Sequence, residues 1–137
     1  MRILALDHGT VRIGVAVSDE LGMIAQPLEF IPAEPWAGFL DRLKQLVAER
    51  DVGRILVGMP RNMDGSYGPA ADKVREFVRL LGETFSTPIQ TWDERLTSVQ
   101  AQRMLREASV KGARQRKKVD QMAAAILLQS YLDAQPG

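Results

Sequence analysis

Residues Ile3 to Leu6 form an apolar run that stops at a carboxylate, Asp7, and Arg12 to Ser18 alternates with β-branched residues after the turn-forming pair Gly9 and Thr10. Two strands joined this closely run antiparallel, because parallel neighbours need a long crossover between them. Further along, strand-like and helix-like stretches alternate, a pattern that calls for parallel strands with helical crossovers. Both demands are met by one fold class: α/β, with a mixed sheet opened by antiparallel strands, continued by parallel strands and covered by helices.

The individual elements follow from periodicity. A third strand fits Pro27 to Ile31. Glu34-Pro35 opens a helix in which Trp36, Phe39, Leu40, Leu43, Leu46 and Val47 recur at helical spacing, so that this stripe is core. Ile55 to Val57, bounded by Gly53 and Gly58, suits a strand buried on both faces. A loop rich in turn residues runs through Gly65, Gly68 and Pro69, and a second helix carries Ala70, Val74, Phe77, Val78 and Leu81. Pro88 to Trp92 is a short strand leading into Asp93-Glu94-Arg95. Thr97 followed by Gln100 is a capping box, which starts a third helix there and carries it to Ala108. Ser109 to Lys118 reads as a basic loop containing Gly112. The last helix presents Val119, Met122, Ala123, Ile126, Leu127 and Tyr131 on one face and frays before Pro136. At 137 residues, with 45% hydrophobic and 26% charged residues, residues 1–137 are expected to form one domain with ordinary globular composition.

The longest uninterrupted apolar stretch, Met122 to Leu128, is far short of the roughly 20 residues of a membrane span, and the N-terminus has no long apolar signal core. A cytoplasmic location with no membrane partner is therefore expected. With no Cys and one His, a single chain cannot assemble a zinc finger, a thiol nucleophile or an iron-sulfur site. Carboxylate chemistry, hydroxyl chemistry or binding remains.

The net charge of +1 hides an uneven distribution. Arg103, Arg106, Lys111, Arg114, Arg116, Lys117 and Lys118 share a short segment with a single acid, Glu107, which leaves the rest of the chain net acidic. A concentrated cationic patch on such a body suits phosphate recognition, and nucleic acid is the commonest polyphosphate. The same run would also serve as a solvated surface loop.

Three acidic positions stand where chemistry is usually placed. Asp7 ends an apolar strand, although Asp and Gly also both favour turns. Asp93-Glu94 ends a second strand and precedes a helix, where acidic residues are favoured in any case. Asp120 lies near the start of the last helix, where a helix-dipole role would explain it equally well; Ala123, Ala124 and Ala125 just beyond it would let that helix approach the sheet closely. Together, carboxylates at two strand ends and one helix start can converge on one edge of a sheet and offer the oxygen-only environment that Mg²⁺ or Mn²⁺ prefers. In a two-metal site one ion activates water and the other stabilises the leaving oxygen, so that a phosphodiester is cut without His or Cys.

Four motifs in one order carry a specific resemblance that runs nearly end to end: Leu6-Asp7-His8-Gly9 with Arg12-Ile13-Gly14-Val15-Ala16; Val57-Gly58-Met59-Pro60 with Asn62-Met63-Asp64-Gly65; Trp92-Asp93-Glu94-Arg95-Leu96-Thr97; and Val119-Asp120 with Ala123-Ala124. In these the chain resembles the YqgF (RuvX) family of the ribonuclease H-like superfamily, assigned to the processing of pre-16S rRNA and formerly to Holliday junction resolution. The resemblance implies a ribonuclease H-like mixed five-stranded sheet with helices on both faces, and it carries an acidic triad onto Asp7, Glu94 and Asp120. Met59 and Arg61 stand where the family has Leu in a Gly-Leu-Pro-Leu-Asn stretch, a departure in the substrate loop that leaves the acids intact. Strand alternation alone places Asp93 and Glu94 on opposite faces without deciding which meets the metals; the choice of Glu94 follows the resemblance.

The expected substrate contacts are Arg12, Asn62 and Arg95 beside the acids, with Lys111, Arg114, Arg116, Lys117 and Lys118 from the basic loop. Arg95 could equally pair with an acid. His8 points opposite to Asp7 and reads as structural, and Tyr67 is the clearest aromatic for stacking on an unpaired base. The expected partner is precursor 16S rRNA held in a small-subunit particle, or alternatively branched DNA, for which a resolvase would need two symmetric sites and hence a homodimer. Two rivals remain. Asp7-His8-Gly9-Thr10 is similar to the phosphate loop of actin-like ATPases, which need two such lobes where this chain supplies one. A non-catalytic RNA-binding module would use the basic loop alone.

Overall fold

The computed structural model describes residues 1–109 and 114–136, with side chains described outside 108–120. Five strands, β1 (Arg2–Asp7), β2 (Arg12–Ser18), β3 (Ala25–Pro32), β4 (Val52–Met59) and β5 (Ile89–Asp93), form one sheet in the order β3-β2-β1-β4-β5. β1 pairs antiparallel with β2 and β2 with β3, whereas β4 runs parallel to both β1 and β5. The mixed sheet read from the sequence is therefore present, with longer strands at β3 and β4 than the apolar runs alone suggested.

Alternation along the strands sorts the side chains between two layers. Leu4, Leu6, Ile13, Val15, Ile55 and Val57 face α1 (Trp36–Glu49) and α2 (Pro69–Thr84), where Phe39, Leu43, Leu46, Val74, Phe77 and Leu81 close the core. On the opposite face Ala5, Ala16 and Leu56 meet Ala124, Ala125, Leu128 and Tyr131 of α4 (Arg114–Ala134), and α3 (Val99–Ser109) packs on α4. The small residues on that second face decide the geometry. A Cβ at Gly14 would stand in ordinary contact with the Cβ of Ala124 at 3.8 Å and that of Asp7 at 3.7 Å, so α4 packs closely over this part of the sheet. Buried Gln129 anchors the crossing: its side chain accepts a hydrogen bond from the Ala25 amide at 3.0 Å and donates to the Met23 carbonyl at 2.9 Å. Leaving those groups unpaired would cost about 1–3 kcal/mol each.

Two expectations at the end of the chain are corrected. The third helix is capped by Ser98, whose hydroxyl accepts from the Ala101 amide at 3.1 Å, and not by Thr97; Ser98 also donates to Asp133 at 2.6 Å, a tertiary bond that a local capping pattern does not reveal. The last helix begins at Arg114 and not near Val119, so Arg114, Arg116, Lys117 and Lys118 belong to its first turns. Arg, Gln and Lys are strong helix formers, and no Gly or Pro interrupts 114–134. Lys111, and the remainder of the expected basic loop around Gly112, lie outside the described residues.

Candidate active site

Because β1, β4 and β5 are parallel, their C-terminal ends meet at one edge of the sheet. The register pairs Leu6 with Val57 and Met59 with Asp93, and Asp7 lies opposite Gly14 of β2. This edge is where open α/β sheets place their ligands, outside the carboxyl ends of the strands.

Asp7 follows Ala5 on the α4 side, and the next residue, His8, turns to the other face, where its ring lies 4.7 Å from that of Phe77. Asp7 and His8 thus separate as strand alternation requires. Gly9 then has no alternative: a Cβ there would sit 2.3 Å from the Arg12 carbonyl oxygen. Burial, and secondarily the charge of Lys73, lowers the pKa of His8 below its ordinary value, which favours the neutral ring.

Strand parity sends Asp93 and Glu94 into different surroundings. Gln90 and Trp92 lie on the α4 side, where Tyr131 donates to Gln90 at 3.1 Å and meets Trp92 edge-on at 5.2 Å. Glu94 keeps that parity, its amide extending the ladder by donating to the Met59 carbonyl at 3.2 Å. Its carboxyl rests over Gly58, where an added Cβ would lie 2.7 Å from Oε1. Asp7 and Glu94 line one cavity of about 280 Å³ with Leu105, Ala123 and Leu127. Although Glu94 as a residue is open to solvent, its carboxyl is crowded by apolar neighbours. That loss of water raises its pKa, and the charges of Asp7 and then Asp93 push the same way.

Asp93 faces the other way. It accepts from Arg95 at 2.9 Å and pairs with Arg61 at 3.4 Å, and the hydrogen bond from Arg95 is the main reason its pKa falls below the ordinary Asp value. Arg95 therefore takes its acid-pairing role. Arg61 was not singled out in the sequence as a contact, although its departure from the family pattern marked it. It also donates from Nε to the Gly65 carbonyl at 3.0 Å and lies 4.6 Å from the Tyr67 ring, which Arg75 approaches at the same distance. Asn62 donates to the Ser66 hydroxyl at 3.0 Å and so shapes the loop after β4. Arg12 lies over the Phe30 ring at 4.0 Å and lines a second cleft with Asp7 and Gly14.

Position 120 is the seventh residue of α4, too far from the helix start for the dipole explanation of Asp120 to hold. It falls one turn before Ala124, which with Asp7 borders Gly14. The side chains of Asp120, Arg114, Arg116, Lys117 and Lys118 lie outside the description. Among the described residues no three His, Cys, Asp or Glu side chains form a metal-binding group. The oxygen donors of Asp7 and Glu94 nevertheless suit a hard cation, and among the described residues Glu94 has no cationic partner in an ion pair.

Comparison with known proteins agrees with this reading of the fold. A relative from Halothermothrix orenii named "Putative pre-16S rRNA nuclease" is 47% identical over 98% of this chain and 96% of its own length. One of the same name from Symbiobacterium thermophilum is 50% identical over 98% and 93%. The structure of Thermus thermophilus RuvC in complex with a Holliday junction substrate superposes with a TM-score of 0.60 at 14% identity, covering 98% of this chain and 94% of that one, so the folds are alike and of the ribonuclease H type. The family model described as "RuvX: Holliday junction resolvase" matches residues 1–134, and with the two relatives it establishes that the chain belongs to the RuvX family.

Proposed function

We propose that this protein is a divalent-metal-dependent nuclease that trims the 5′ end of precursor 16S rRNA, in the cytoplasm, on a partly matured small-subunit particle. The observation that carries the reading is the convergence of Asp7 and Glu94 from two parallel strands onto one cavity beneath α4, while Asp93 is drawn off by Arg95 and Arg61. The relatives' names support rRNA as the polymer.

Asp7, Glu94 and Asp120 would hold Mg²⁺ or Mn²⁺, which supplies an activated water and charge stabilisation at the leaving oxygen. The remaining work falls to the chain. Glu94, protonated more readily than an ordinary glutamate, would give up that proton where its carboxylate held the cation. Leu105, Ala123 and Leu127 keep one wall of the cavity apolar and strengthen the electrostatics inside it. Arg12 borders the adjoining cleft beside Asp7 and would steady a phosphate of the bound strand. Arg95, Arg61 and Asn62 would act by holding the loop after β4 in place, with Lys111, Arg114, Arg116, Lys117 and Lys118 gripping flanking phosphates.

Purified protein is to be given precursor 16S rRNA with an extended 5′ end and a four-way DNA junction, each with Mg²⁺ and with Mn²⁺. The expected result is shortening of the RNA at its 5′ end, absent in Asp7→Asn. Junction cleavage without RNA trimming would replace this reading with the resolvase that the family description and the junction-bound fold neighbour suggest, and such an enzyme would act as a homodimer.

A further inference from the structure

Behind the β1–β2 turn, on the side away from Asp7 and Glu94, lies a second cleft that the nuclease reading leaves unused. It measures about 370 Å³ and is floored by the rings of His8, Trp36 and Phe77. Its rim carries Thr10, Lys73 and two acids, Glu34 and Glu76, the second of which is paired with Arg79. The rings are set at angles, with Trp36 edge-on to Phe77 at 5.8 Å and His8 tilted against Phe77 at 4.7 Å, so they line a concave surface. Among the described residues no hydrogen bond engages the imidazole nitrogens of His8, and no ion pair engages Lys73. An aromatic floor, unspent imidazole nitrogens and an unpaired ammonium form one constellation. It offers stacking, donor and acceptor positions along an edge, and a cation for an anionic neighbour.

We infer that this cleft is a nucleotide subsite, taking an unpaired base against the half-buried rings of His8 and Trp36, with buried Phe77 as the floor beneath them, and the adjoining phosphate on Lys73. A planar heteroaromatic base satisfies all three features at once, whereas an aliphatic ligand would leave His8 and Lys73 without partners. Gly9 and Thr10 line both this cleft and the one containing Asp7 and Arg12, so a strand crossing the turn passes from one to the other. The identity of the polymer rests on the proposed nuclease function; the nucleotide chemistry of the cleft does not. The subsite would give a nuclease that ignores base identity at the cut a preference for a single-stranded flank.

Trp36 reports on the cleft directly. The other tryptophan, Trp92, has a buried indole N–H with no acceptor among the described residues, so Trp92→Phe removes a second fluorophore without breaking a hydrogen bond. In that background, with EDTA present to suppress cleavage, the four ribonucleoside 5′-monophosphates and a six-nucleotide single-stranded RNA are titrated while Trp36 emission is followed. Saturable quenching is expected. His8→Ala and Lys73→Ala should each weaken it at least about fivefold, with the melting temperature unchanged for the exposed Lys73. No saturable quenching by any nucleotide or by the RNA, or quenching equally strong in both variants, overturns the inference. A protein that quenches but cuts no nucleic acid would refute the nuclease reading and leave the subsite standing; one that cuts without quenching would do the reverse.

Discussion

Gly58 supports the catalytic reading at a single atom. It faces Trp92 across the β4–β5 pairing, and the carboxyl of Glu94 occupies the space a side chain would take. In Gly58→Ala the new methyl would stand 2.7 Å from Glu94 Oε1, 3.0 Å from Leu127 Cδ2 and 3.1 Å from Glu94 Cγ, against 3.4 Å for the onset of ordinary contact. The atoms in the way are mostly ends of flexible side chains, so the fold yields and the carboxylate retreats by about 0.7 Å. Overpacking of this kind costs about 1–2 kcal/mol, partly offset by the lower chain entropy of Ala in a strand, so Tm should fall by no more than about 8 °C. Misplacing a catalytic group by roughly 1 Å costs on the order of 10²-fold, so kcat/KM on precursor RNA should fall roughly 10- to 100-fold. Gly14→Ala is the packing control on the same sheet face: its Cβ meets neighbours only at 3.5–3.8 Å, and it should leave Tm nearly unchanged. Wild-type kcat/KM in Gly58→Ala, measured with saturating Mg²⁺, would refute the placement of Glu94 at the reacting centre.

Three further outcomes are expected. Asp7→Asn should remove most cleavage while thermal melts in EDTA show folding retained or improved, because the neighbouring charge that raises the pKa of Glu94 is gone. Asp93→Asn should cost up to about 1 kcal/mol at neutral pH by releasing Arg95 and Arg61. Since the folded-state pKa of Asp93 lies below its ordinary 3.8, that stabilisation is present above the unfolded value and fades as pH falls through the folded one, so wild-type and variant melts should converge in acid. Neutralising Arg114, Arg116, Lys117 and Lys118 together should flatten the salt dependence of RNA binding by about 0.7 per lost single-strand contact, or 0.9 for duplex; an unchanged slope would return the segment to a merely solvated surface.

The fold was legible because its rules are local. A short turn forces antiparallel pairing, and glycine-bounded Ile55 to Val57 is indeed fully buried. What the sequence concealed depends on partners distant along the chain. Ser98, and not Thr97, caps the helix at the Ala101 amide, and the same hydroxyl bonds Asp133, 35 residues away. The early start of α4 was hidden by reading cationic residues as loop, although their helix propensity is high. Arg61 carried a signal only as a departure from pattern, and its use, joining Asp93, Gly65 and Tyr67, needs the tertiary arrangement.

Asp93 and Glu94 show where one-dimensional reading ends. Adjacent in sequence and alike in chemistry, they differ only in parity, and parity acquires meaning once a helix covers one face. Tyr131 of α4 supplies it by engaging Gln90 and Trp92, which fixes Glu94 on the covered side and Asp93 on the other. From there the two environments diverge: desolvation and Asp7 push Glu94 up, while Arg95 pulls Asp93 down. Neighbouring carboxyls driven in opposite directions are suited to different roles: Asp93 is paired with guanidinium groups, and the proposed function gives Glu94 to the cation. Exchanging the pair, as Asp93→Glu with Glu94→Asp, keeps the net charge and composition. It should shorten the reach toward Asp7 while leaving a carboxylate for Arg95, and so cut activity far more than it cuts stability. A swap that preserves cleavage but unfolds readily would mean that Asp93, through Arg95 and Arg61, matters more to the fold than Glu94 does to the chemistry.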